Sequence, residues 1–107
     1  MVAGSKILLI GGAGFIGSHI VDQLLSERPA EVRIIDNLVR GTRRNLAQAL
    51  TSPNVRLMEG TITDRRQLSV AVKGVDYVFH LAALWLGECV ADPRAALEAN
   101  VVGTYNV

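Results

Sequence analysis

Gly11, Gly14 and Gly17 recur at intervals of three in the stretch ILLIGGAGFIGSHI, between an apolar run and a helical pattern. Glycine loses more conformational freedom on folding than any other residue, so such a cluster answers a backbone requirement. The chemistry it suits is anion binding. One glycine permits a tight turn, one lets a phosphate approach the main chain, and Gly17 lets helix and strand pack closely. The helix that follows then offers free N–H groups and the positive end of its dipole. Gly12, Gly14 and Gly17 satisfy the G-x-G-x-x-G spacing as well, so both registers are open.

Asp36 closes the next apolar run, 19 residues beyond Gly17. An offset of about 20 residues is the one expected for a carboxylate that accepts hydrogen bonds from the ribose of a bound dinucleotide. A carboxylate there favours NAD, because it would repel the additional 2′-phosphate of NADP. Arg40, Arg43 and Arg44 follow on the same loop and could hold such a phosphate; the plainer reading is a solvated basic loop.

Other reactive side chains are less telling. His80 stands at the end of an apolar run where a general base is conceivable, but no second catalytic group is identifiable beside it. It therefore reads as a hydrogen-bonded histidine at a strand end. His19 falls in the first turn of a helix, and Cys89 has no basic neighbour close in sequence to activate it. Glu88 and Asp92 read as caps or loop charges. No metal site is expected.

The elements that must position these groups follow from periodicity. Lys6 to Ile10 reads as a buried strand. Phe15 to Ser26 reads as a helix with Ile16, Ile20, Val21, Leu24 and Leu25 on one face, ending before Pro29. EVRIID (31–36) is a second strand, a short helix is expected from Thr42 to Leu50, and NVRLMEG (54–60) is a third strand. Asp64 and Gln67 have capping-box spacing before a helix carrying Leu68, Ala71 and Val72, closed by Gly74. VDYVFHLAA (75–83) is the fourth strand and the most continuously apolar. After a loop, Asp92-Pro93 starts a helix that runs towards the end of the chain. Alternating strands and helices of these lengths imply right-handed crossovers and a doubly wound parallel α/β sheet of the Rossmann type, in the order 3-2-1-4. The last helix has no stop signal, so residues 1–107 read as a truncated dinucleotide-binding domain, the first part of a longer fold. The fourth strand would then be an apolar edge, open to pairing and self-association, and a homo-oligomer is expected.

Bulk properties narrow the classes. The 107 residues suffice for one small domain, half of them are apolar, and the net charge is +1. That balance gives no electrostatic case for nucleic acid or a membrane surface. One cysteine excludes an internal disulfide, and no apolar run approaches the ~20 residues of a membrane span, so a cytoplasmic location is the default.

Taken in order, GGAGFIGSH, DNL, HLAA and NVVGT make the chain resemble the extended short-chain dehydrogenase/reductase family over essentially its whole length. Within it, the chain is most similar to NAD-dependent nucleotide-sugar epimerases and dehydratases such as UDP-glucose 4-epimerase. The resemblance implies that Phe15 and Ile16 cover the pyrophosphate, and that Asp36, Asn37, Leu38 and Gly41 surround the adenosine ribose. Thr61 and Ile62 would lie beside the adenine. Leu81, Ala82 and Ala83, then Leu84 and Trp85, would line the cofactor at the end of strand four, and Asn100 would approach it from the last helix. Two departures stand out: Thr61 replaces the family's aspartate, and Trp85 stands where some epimerases carry a lysine. The family's catalytic tyrosine, with a lysine four residues later, has no counterpart, since Tyr77 is followed at that distance by Leu81 and Tyr105 by nothing. The expected function is the NAD-binding portion of a nucleotide-sugar epimerase or dehydratase, inactive by itself. The alternatives are an NADP-dependent reductase of the same superfamily and a non-enzymatic dinucleotide-sensing module.

Overall fold

The computed structural model describes residues 2–107. Four parallel strands, β1 (Lys6–Ile10), β2 (Glu31–Asp36), β3 (Val55–Glu59) and β4 (Tyr77–His80), form one sheet in the order β3-β2-β1-β4. Helix α1 (Phe15–Ser26) joins β1 to β2, and α2 (Arg65–Val72) joins β3 to β4. After β4 come α3 (Leu86–Ala91) and α4 (Pro93–Ala96). The chain then continues through a π-helical stretch, Leu97–Gly103, into a last turn, α5 (Thr104–Asn106). The residues at both junctions keep helical dihedrals, so 93–106 is one rod with a widened middle. The expected order and doubly wound architecture are present.

β1 and the centre of β2 are covered on both faces of the sheet, and the residues they turn to those layers are apolar. Ile7, Leu9, Val32 and Ile34 turn to one side, where Val21 and Leu24 of α1 pack with Leu46 and Ala49. Leu8, Ile10 and Ile35 turn to the other, against Ile62, Leu68 and Ala71. Side chains of β1 thus alternate between two cores, each large one contributing about 1.5–3 kcal/mol. Arg33 fastens the second layer: its Nη1 donates to the carbonyls of Val70, Ala71 and Lys73, at the C-terminal end of α2, at 3.3, 2.6 and 3.1 Å.

Several local expectations are corrected. On α1, Ile20, Val21, Leu24 and Leu25 pack on the core as expected, whereas Ile16 is exposed and Gly17 and Ser18 complete the buried face. Residues 42–50 form no α-helix but two 3₁₀ turns, Arg43–Leu46 and Ala49–Thr51, the first capped by the Thr42 hydroxyl. The capping box at α2 is half made. Asp64 accepts from Arg66 and Gln67 N–H, but the Gln67 side chain accepts from Thr61 N–H at 2.8 Å instead of turning back to Asp64. β4 is shorter than 75–83, because its ladder ends where Leu81 N–H meets the Ile10 carbonyl at 2.8 Å. The loop expected before Asp92 contains α3, whose first turn is closed by Glu88 accepting from Trp85 N–H at 3.1 Å.

Candidate functional site

The strands all end on one side of the sheet, and there the chain leaves an open cleft of about 520 Å³. Gly11, Gly14, Phe15, Ile16 and Gly17 form one wall of it, and Asp36, Asn37 and Gly41 a second. Thr61, Ile62, Leu81, Ala82 and Ala83 complete it. Of the residues expected around the cofactor, Leu38, Trp85 and Asn100 do not line this space. Leu38 packs on the core with its backbone at φ 58°, a left-handed conformation held by the Asp36 carboxylate accepting its N–H at 2.8 Å.

Both candidate first glycines are crowded, and a Cβ on Gly12 would stand 2.8 Å from Ile34 Cγ2. Gly11, at φ 82°, makes the left-handed turn, and a Cβ there would also stand 2.9 Å from Ala82 N. A Cβ on Gly17 would be 2.5 Å from the Gly11 carbonyl, so Gly17 permits the helix to sit on the turn. Gly14 differs: its dihedrals suit any residue, and a Cβ would meet nothing nearer than the Gly11 carbonyl at 3.4 Å. The protein itself therefore makes no demand for glycine at position 14. The space a side chain would take lies in the cleft, as a group approaching the backbone from outside requires.

The start of α1 is prepared for such a group. The first helical bond runs from Ser18 N–H to the Gly14 carbonyl at 2.9 Å, which leaves the N–H groups of Phe15, Ile16 and Gly17 ahead of the ladder. No side chain caps them, and the first turn holds no acidic residue. A free helix N-terminus with its partial positive charge favours phosphate.

Asp36 ties this turn to the next strand. It is 8% exposed, and its Oδ2 accepts from Ala13 N–H at 2.9 Å while Oδ1 accepts from Leu38 N–H. The Ala13 carbonyl accepts in turn from Thr42 N–H at 3.1 Å and from the Asn45 amide at 2.9 Å. Each carboxylate oxygen keeps a lone pair for a further donor. A Cβ at Gly41 would fall 2.8 Å from Oδ2, so the loop after β2 can close on the carboxylate only because position 41 carries no side chain.

Asn100 sits in the π-helical stretch with its amide spent on the opposite loop. Its Oδ1 accepts from Leu84 N–H at 2.7 Å and its Nδ2 donates to the Leu84 carbonyl at 3.1 Å. At that height Ala99 lines the cleft. The Thr61 hydroxyl is paired with that of Thr63 at 2.9 Å, within the turn that precedes α2. His80 lies outside the cleft, its Nε2 2.9 Å from the Thr104 hydroxyl, and burial holds its pKa below the ordinary histidine value. Among the described residues no group of three His, Cys, Asp or Glu side chains is placed to hold a metal ion, and no helix is long and apolar enough to cross a membrane.

Sequence reasoning missed the part played by Arg40. Its guanidinium lies 4.9 Å from the Trp85 ring centroid and 3.9 Å from the Glu88 carboxylate, linking the loop after β2 to the segment after β4. No local pattern announces a contact between residues so distant in sequence. The helix that carries Glu88 did have a signal, a glutamate at the third position of its first turn.

The profile of the NAD dependent epimerase/dehydratase family matches residues 7–107. A UDP-glucuronic acid decarboxylase 3 of Arabidopsis thaliana is 34% identical, over 95% of this chain and 29% of its own length. A dTDP-glucose 4,6-dehydratase of Mycolicibacterium smegmatis is 38% identical, over 95% of this chain and 31% of its own length. The crystal structure of the Bordetella bronchiseptica enzyme WbmF in complex with NAD+ superposes with a TM-score of 0.88 at 35% identity, covering 98% of this chain and 31% of that one. The chain thus spans about three-tenths of the length of these relatives.

Proposed function

The chain belongs to the NAD dependent epimerase/dehydratase family, and on that premise we propose that it is the cofactor-holding portion of an enzyme that transforms the sugar of a nucleotide sugar. NAD is the cofactor we assign to the cleft. The observation that carries this is Gly14, whose missing side chain nothing in the protein explains, set beside an uncapped helix and across from the buried Asp36. A nicotinamide dinucleotide held there supplies a reversible hydride acceptor for a sugar carbon.

The residues of this chain bind and orient. Phe15, Ile16 and Gly17 N–H groups take the pyrophosphate, and Gly11 and Gly17 keep the turn that aims them. Asp36 takes the ribose hydroxyls with the lone pairs not used by Ala13 and Leu38. Ile62 packs beside the adenine, and Thr61, with its hydroxyl already paired, holds it less firmly than an aspartate would. Leu81, Ala82 and Ala83 exclude water along the sugar–nicotinamide side. Asn100 acts through Leu84, holding that wall in place. Proton abstraction needs a positioned base, and without a Tyr-x-x-x-Lys this chain alone turns over no nucleotide sugar.

Calorimetric titration of NAD and NADP against the wild type and Asp36→Ala tests the reading. The wild type is expected to prefer NAD. The variant is expected to lose about tenfold in NAD affinity and to lose the preference, since a carboxylate hydrogen bond is worth about 1.5–3 kcal/mol. Tighter binding of NADP than of NAD by the wild type would overturn the assignment.

A further inference from the structure

Three arginines follow Asp36, and a free guanidinium beside a ribose site is what a 2′-phosphate would seek. Arg40 is not free. Its charged carbon stands over the Trp85 ring at 4.9 Å, and its Nη1 is 3.9 Å from Glu88 Oε2. Both partners belong to the segment after β4, across the cleft that Arg40 and Glu88 line together. Glu88 is itself fixed, its Oε2 accepting from Trp85 N–H at 3.1 Å. The guanidinium thus has a planar surface to stack on and an anion at its edge, both on one rigid turn.

We propose that Arg40, Trp85 and Glu88 form a clasp over the mouth of the cleft, and that Glu88 is a specificity-determining residue: by engaging Arg40 it withholds the guanidinium from a 2′-phosphate and so sharpens the preference for NAD. This rests on the cofactor reading given above and adds a second term to it. Asp36 repels the additional phosphate directly, whereas Glu88 and Trp85 engage Arg40, the one of the three loop arginines that lines the cleft. A 2′-phosphorylated dinucleotide has to break the clasp to recruit Arg40, and NAD does not.

Glu88→Gln isolates the charge, because a glutamine oxygen still accepts from Trp85 N–H and keeps the turn of α3. NAD and NADP are titrated calorimetrically into the wild type, Glu88→Gln, Arg40→Ala and the double variant. Glu88→Gln is expected to reduce the NAD-over-NADP preference about two- to fivefold, the range for losing an exposed ion pair while the contact with Trp85 remains. The double variant is expected to show the same preference as Arg40→Ala, since the two residues act as a unit. Trp85 is the sole tryptophan, so its emission reports the clasp without any ligand. Emission should differ between the wild type and Arg40→Ala. An unchanged preference in Glu88→Gln, a change that survives in the double variant, or identical Trp85 emission with and without Arg40 would each overturn the clasp. If no form binds either dinucleotide, the cofactor reading falls and the discrimination with it. If the wild type binds NAD and the preference does not move, the clasp alone falls.

Discussion

β1 and β4 are neighbours in the sheet and both rich in apolar residues, yet they meet opposite environments. In β1, Ile7 to Ile10 are at most 1% exposed, with a core on each face. In β4, Tyr77 and Val78 are 41% and 43% exposed, and the helices after it present Leu86, Val90, Val101 and Tyr105 to the outside. Apolar character alone does not bury a strand; neighbours on both sides do. The first part of the chain is therefore determined by packing, and the last part by a few polar brackets, chiefly Asn100 on Leu84 and Glu88 on Trp85.

The contrast is broken most severely at Gly17. A valine there would put its Cβ 2.5 Å from the Gly11 carbonyl and 2.7 Å from Gly12 Cα, backbone that cannot step aside. Gly17→Val is expected to cost about 3 kcal/mol in urea denaturation, the upper end for overpacking, and to abolish dinucleotide binding by calorimetry. Val101→Ala, on the exposed rod, is expected to stay within about 0.5 kcal/mol. Comparable losses at both sites would mean that the two regions are equally constrained.

A smaller effect sharpens the other side of the comparison. Asn100→Ala leaves both polar groups of Leu84 without their partner, at about 1–2 kcal/mol. Hydrogen exchange should quicken across 84–89 and stay unchanged in β1 and β2. Faster exchange throughout the sheet would show that the bracket supports the whole fold.

What was legible in the sequence follows the same division. β1, α1 and β2 declare themselves with their bounds, because β1 is apolar from Ile7 to Ile10, β2 is rich in β-branched residues, and the glycine turn between β1 and α1 is chemically explicit. Strand order and the cleft residues followed from this. The C-terminal bound of β4 was not legible: Leu81, Ala82 and Ala83 look like strand but serve the cleft wall, and only the last ladder bond to Ile10 separates the two uses. Gln67 has the spacing of a capping box yet serves Thr61, since two backbone N–H donors compete for one side-chain oxygen and geometry chooses. Arg40 on Trp85 and Asn100 on Leu84 join distant residues, and local periodicity contains no trace of either.

The smallest expected effect is acid sensitivity, and it too divides by region. Burial lowers the pKa of His80 from 6.5, so below that pH the unfolded chain binds more protons than the folded one and stability falls. Glu31, held down chiefly by its hydrogen bond to Arg33, gives up its contribution only below 4.5. Urea midpoints taken between about pH 7.5 and pH 5.5 should therefore decline in the wild type and decline less in His80→Gln. An equal decline in both would place the sensitivity elsewhere.

The register of the sheet also bears on the order in which the molecule assembles. β1 meets β2 by pairing Lys6 with Glu31, but it meets β4 by pairing Ile7 with Tyr77. Closing the longer span costs about 0.9 kcal/mol more in chain entropy, and it waits on residues synthesised later. Gly11 and Gly17 lie within the shorter span, and Asp36, which ends β2 five residues beyond it, bonds Ala13. As the chain is made, the glycine turn and Asp36 are synthesised before the wall of Leu81 to Ala83 exists, so one side of the cleft can form without the segment that later closes it.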